Sequence, residues 1–187
     1  IGGLSEEAAL NLSKSAESLA VANGVAPNVI LKDIADNTET FAKFSGAGTK
    51  GLMRAAIQAR KLGIELSDVA SSMEGMLDFQ SSLNAEVEAS VMLGRNVNLQ
   101  KARELALNND IEGFQQEILK QVGSQAEFDK MNVLQKKALA SATGMSVEQL
   151  SKMVSKEKEA KTVAGEFAKA SQNMIPEEAI TSTAQIL

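Results

Sequence analysis

Along almost its whole length the chain alternates N-capping residues with glycine stops, and the stretches between them are made of helix formers. "LSEEAALNLSKSAESLAVANG" has Ser5 as N-cap, Glu6 and Glu7 in the first turn and Gly24 as the stop. Pro27 then suits the first turn of "PNVILKDIADN". The short amphipathic stretch "TETFAKF" leads into "GAGTKG", where Thr49 is placed to cap "KGLMRAAIQARKLG" and Gly63 ends it. Ser67 is expected to cap the longest element, "SDVASSMEGMLDFQSSLNAEVEASVMLG", which Gly94 closes. Further on, Asn98, Asp110, Ser124 and Asn132 each stand before a helical pattern, and Ser146 with Gln149 forms a capping box heading a last long helix to about Gln172. "MIPEEAITSTAQIL" reads as a short helix and a tail. The pattern predicts an all-α chain, with multiple short helices around one or two long ones and no sheet.

Composition agrees and narrows the function classes. The 44% hydrophobic content comes almost entirely from Ala, Leu, Val, Ile and Met, with aromatics at 3%, all Phe. Such side chains pack helices closely but bury little per residue. The 187 residues suffice for one domain with a core or for two small helical subdomains. The expected division is an N-terminal helical segment 1–40, a helical core 41–145, and a long helix with tail 146–187. No Cys is present, so there is no thiolate nucleophile, disulfide or Cys-ligated metal; no His is present, so the commonest acid/base and metal ligand is missing. A net charge of −5 argues against general nucleic-acid affinity, so no specific nucleic acid is expected as a partner, and no apolar run reaches the length of a membrane span. A chain opening on Ile1 and stopping at "AQIL" is expected to be a piece of something longer.

One punctuation recurs, in "NGVAPNVI", "LGIELSDV" and "TGMSVEQL". Each stops a helix on glycine, folds an apolar residue back and starts a new helix, at spacings too uneven for a solenoid repeat. Charge is blocked: Lys43, Lys50, Arg54, Arg60 and Lys61 lie between Phe41 and Gly63 without an acid, whereas Asp68, Glu74, Asp78, Glu86 and Glu88 follow to Gly94 without a base. Complementary charge and the short "GIEL" connection predict an antiparallel helical hairpin at about 49–93.

Three patterns bear on chemistry. "GAGTKG" spells the dinucleotide-loop glycines, but a helical stretch precedes it where a strand is required, and no Lys-Ser/Thr pair follows Gly51 as in a Walker loop. It reads as a joint and an N-cap, with no nucleotide affinity. In the long element Val69, Met73, Met76, Gln80, Leu83, Val87 and Ser90 keep 4-3 spacing, a seam of three heptads on a helix of about 40 Å. That seam is either the domain's own core, widened by Leu77 and Phe79, or a self-association contact through Val69, Met73, Met76, Leu83 and Val87. The acids Glu86 and Glu88 stand two apart and point to different helix faces. No constellation of catalytic, cofactor-binding or metal-ligating residues emerges, and the chain is not expected to be an enzyme.

The run "MLDFQSSLNAEVEAS", "LGRNVNLQKARELAL" and "MNVLQKKALASATGMS", in that order within residues 41–155, resembles a segment of the tail tape measure proteins of large tailed bacteriophages. The resemblance implies a helical virion protein in the tail lumen or at a tail end, assembled in the host cytoplasm. It implies a few symmetric copies meeting tail tube, tail-tip or baseplate proteins and tail assembly chaperones, with roles in tail assembly, length determination and genome ejection. It brings no catalytic residues onto these positions. Tape measures are far longer, so this chain is an ordered portion and the ruler itself lies elsewhere. Two alternative classes remain: a non-catalytic helical interaction module (an assembly chaperone, scaffold or adaptor), and a fragment of an enzyme whose active site lies outside these residues.

Overall fold

The computed structural model describes residues 6–37 and 48–173, with side chains placed over 13–37 and 50–165. These residues form ten helices and no strand: α1 (Glu6–Ala22), α2 (Pro27–Asp36), α3 (Gly48–Lys61), α4 (Leu66–Leu77), α5 (Phe79–Leu93), α6 (Gln100–Leu107), α7 (Ile111–Val122), α8 (Gln125–Lys130), α9 (Val133–Thr143) and α10 (Val147–Asn173). The expectations for Ser5, "TETFAKF", Gly46 and "MIPEEAITSTAQIL" lie outside the described residues.

Where the punctuation is local, the chain folds as it reads. Gly24, Gly63 and Gly144 all take positive φ. In each case the residue after the glycine donates its N–H five residues back: Val25 to Ala20, Ile64 to Ala59 and Met145 to Ala140. Each glycine also donates three residues back, to Val21, Arg60 and Ser141. This is the Schellman pairing, which satisfies the orphan carbonyls of a helix end. The residue accepting the long bond is alanine all three times, small enough for the chain to fold over it. A fourth copy stands where no glycine marks it: Asn109 takes φ 55, and Asp110 donates to Leu105. Asn tolerates the left-handed region because its short polar side chain finds local partners.

Gly144 carries a second constraint. A Cβ there would stand 3.3 Å from Ser72 Cα, because the α9 terminus lies directly on α4, where Ser72 Oγ also donates to Thr143 O. Gly24, by contrast, has nothing within 4 Å of its virtual Cβ. Gly24→Ala is therefore expected to cost only the left-handed backbone, about 1–2 kcal/mol, and Gly144→Ala measurably more. Urea unfolding of the two variants checks the order; equal losses would mean that α9 and α4 do not meet so closely.

N-caps are right at four sites and displaced at three. Asp110 accepts from Gly113 N at 2.9 Å. Ser124, Asn132 and Ser146 form reciprocal boxes with Glu127, Gln135 and Gln149. Thr49, however, sits inside a helix that already begins at Gly48. Ser67 is preceded by Glu65 as cap, whose N–H is taken by Asp68 Oδ2 at 2.8 Å. Leu99 displaces Asn98, since its N–H is held by Glu86 Oε2 at 3.1 Å from another helix.

The largest correction concerns the expected long helix, which is two. The break is Asp78, at ψ 84, three residues after Gly75 in the last turn of α4. Its carboxylate accepts from Ser81 Oγ at 2.7 Å and Ser81 N at 3.3 Å, so the side chain replaces a backbone partner and starts α5 afresh. The hairpin shortens accordingly: α3 touches α4 across the Gly63 turn, but α5 packs chiefly on α9. The expected pairing of a basic with an acidic arm also shrinks. Arg60 reaches Glu65 at 3.4 Å, but its principal carboxylate is Asp33 on α2.

One core cluster runs from Ala16 to Val154. Its centre is α7, which touches α3, α4, α6 and α10 and sinks Phe114 and Ile118 completely. α1 and α2 join through α3, while α10 packs by its first turns on α7, α8 and α9. Leu150, Met153 and Val154 are buried, but residues 158–165 are exposed, so the outer half of α10 overhangs the body.

Candidate functional site

The seam residues divide at the Asp78 break. Val69, Met73 and Met76 on α4 are fully buried, whereas Leu83 is 48% and Val87 63% exposed on α5. Leu77 and Phe79, expected to widen the core, are also exposed. The physical reason is the break itself: with α5 redirected onto α9, Ser82 and Ala89 become its inward residues and the apolar heptad positions Leu83 and Val87 turn out, while Ser90 stays half-buried against Val97. Phe79, Leu83, Val87 and Val91 then stand four residues apart as one exposed apolar stripe.

Gly48 to Gly51 form the first turn of α3, with no strand among the described residues to aim their amides. Glu86 and Glu88 diverge as their spacing predicts. Glu86 turns inward to Arg103 at 2.6 Å, while Glu88 is exposed.

Two buried charges, Asp33 and Arg103, and two more exposed arginines, Arg60 and Arg95, work between helices. Asp33, 3% exposed, accepts from Arg60 Nε at 2.7 Å and from a second guanidinium nitrogen, tying α2 to α3. That hydrogen bond is the main reason the Arg60 guanidinium is pushed above its ordinary value, against burial. Arg103 donates to Ser82 Oγ at 3.0 Å as well as to Glu86, binding α6 to α5. Arg95 donates to Gln121 O at 2.6 Å, a cation on the carbonyl end of α7. Each of these groups is committed to a structural partner.

The remaining displaced ionisations are caps and surface pairs. The Ser81 hydroxyl holds the Asp78 carboxyl below its usual range, and the Ser124 hydroxyl does the same to Glu127. Lys152 lowers Glu148, which in turn raises Lys152. None combines desolvation with a charge partner in a cleft, the arrangement a catalytic acid or base requires. Among the described residues no three His, Cys, Asp or Glu gather as a metal site, and no helix is long and apolar enough to cross a membrane.

Two features escaped the sequence reading. Gln115 is completely buried, donating from Nε2 to Ala55 O at 3.0 Å while its Oε1 has no partner. Its signal was available: Ile111, Gln115, Ile118 and Val122 keep core spacing, so a polar residue occupies an apolar position. The second is a cavity of about 1050 Å³ under the α10 overhang, where Leu62 follows α3, Leu119 stands in the last turn of α7, and Ala160, Val163 and Ala164 form the roof. No sequence signal locates it, because three segments distant in the chain build it.

Among the described residues, the stripe on α5 and the cavity under α10 are two exposed apolar surfaces. No family model matches the chain, and neither a curated protein nor a solved structure shows significant similarity to it.

Proposed function

We propose that this chain is an ordered segment of a phage tail tape measure protein, a structural virion component of the tail tube or its end, acting in tail assembly, length determination and genome ejection. The observation that carries the reading is the ordered run of "MLDFQSSLNAEVEAS", "LGRNVNLQKARELAL" and "MNVLQKKALASATGMS". The all-helical fold fits it, as do exposed apolar helix faces, which suit a chain completed by neighbours. An acidic surface also suits a body that must leave a tube without adhering to DNA.

Mass spectrometry of purified tails, separated from heads, tests the proposal. Peptides of this chain enriched in tails are the expected result. Recovery only with heads, or only in host cytoplasm before assembly, overturns it and selects the alternative, a helical chaperone, scaffold or adaptor.

A further inference from the structure

We propose that copies of this chain join head to tail, the α5 stripe of one copy seating in the groove beneath α10 of the next. The inference rests on the assembly reading above and adds the contact that would make it.

The two surfaces complement each other in shape and charge. The stripe is convex: Phe79, Leu83, Val87 and Val91 project from α5, which with its cap Asp78 carries the acids Asp78, Glu86 and Glu88 and no base, Glu86 turning inward to Arg103. The groove is concave, and its volume of about 1050 Å³ offers space for a row of large apolar side chains. Four lysines, Lys61, Lys120, Lys156 and Lys161, line it beside Glu157 and Glu159, a net positive rim on a chain of net charge −5. Lysine stems extend an apolar wall while their ammonium groups stay at the edge. Three already have partners on the same helix: Glu117, itself 11% exposed, at 3.5 Å from Lys120, the exposed Glu159 at 2.8 Å from Lys156, and the half-buried Glu157 at 2.6 Å from Lys161. The Lys156 pair is exposed on both sides, weak and exchangeable, and the ammonium groups of Lys120 and Lys161 are themselves exposed, so an incoming Glu88 or Asp78 can share these cations.

The alternatives among second-copy contacts are poorer. Stripe against stripe would set acidic flanks against acidic flanks, and groove against groove would leave two concavities facing. Stripe and groove are built on different helices, α5 resting on α9 and the groove on α3, α7 and α10, so one copy can use both at once. A contact between unlike surfaces closes a ring or runs on as a filament.

Two surface variants of the full chain test this by sedimentation. Leu83→Asp with Val87→Asp removes the stripe; Lys120→Glu with Val163→Asp removes the groove; all four positions are exposed. The unaltered chain is expected to associate with concentration, and each variant to stay monomeric with undiminished helicity. Mixed in equal amounts, the two variants should form a 1:1 dimer and nothing larger, because one intact stripe then meets one intact groove. Leu83→Ser with Val87→Ser should behave as the aspartates do. A monomeric unaltered chain, a groove variant that associates normally, or a mixture that stays monomeric overturns the contact. The tail measurement is independent: a chain found in tails but monomeric in solution loses this contact and keeps its proposed function, whereas an associating chain absent from tails does the reverse.

Discussion

Replacing Arg103 with alanine is expected to lower the unfolding free energy by about 3 kcal/mol, the lower end of the range for breaking a buried ion pair. The Arg103 side chain is 8% exposed and Glu86 18%, so neither charge is well solvated once its partner is gone. Loss of the guanidinium would leave Glu86 only the Leu99 N–H, at 3.1 Å, and would remove the donor that serves Ser82 Oγ. The lower end applies because Glu86 retains some water. Replacing both partners, as Glu86→Gln with Arg103→Met, should recover most of the loss: glutamine still accepts from Leu99, and methionine fills the aliphatic path without a charge. A double-mutant cycle by urea unfolding measures this directly. A single-variant loss below about 1 kcal/mol would mean that the pair behaves as an ordinary surface bridge.

The Arg103 pair also marks the boundary of what the sequence could disclose. Gly24, Gly63 and Gly144, Pro27, and the boxes at Ser124, Asn132 and Ser146 were all readable, because the partners that satisfy a helix end lie within six residues of it. The all-α class follows from the same local signals. Legibility ended wherever a distant partner decided the outcome. Leu99 caps α6 in place of Asn98 because Glu86, on α5, takes its N–H. Asp78 breaks a pattern that keeps perfect 4-3 spacing, and α5 beyond it packs chiefly on α9, a partner distant in the chain. Nor could spacing alone choose between core and contact for the seam, since both readings ask for the same apolar period. The structure assigns its α4 half to the core and exposes its α5 half.

That division sets up the second large effect. Met73→Asp is expected to unfold the chain, whereas Leu83→Asp, on the same sequence seam, should change monomer stability by less than about 1 kcal/mol. Met73 is fully buried among core side chains. Truncating such a residue costs roughly 2–5 kcal/mol, and an unpaired carboxyl in its place adds a desolvation penalty of several more. Native stability for a domain of this kind is on the order of 5–15 kcal/mol, so the sum consumes most or all of it. Leu83 is 48% exposed, and an aspartate there can reach water without disturbing the inward residues Ser82 and Ala89. Circular dichroism at 25 °C and low protein concentration, where no neighbour covers α5, separates the two cases. The Met73 variant should lose most of its helical signal and the Leu83 variant should keep it. Comparable losses at both positions would mean that α4 and α5 form one continuous helix buried along its whole seam, and the break at Asp78 would then be wrong.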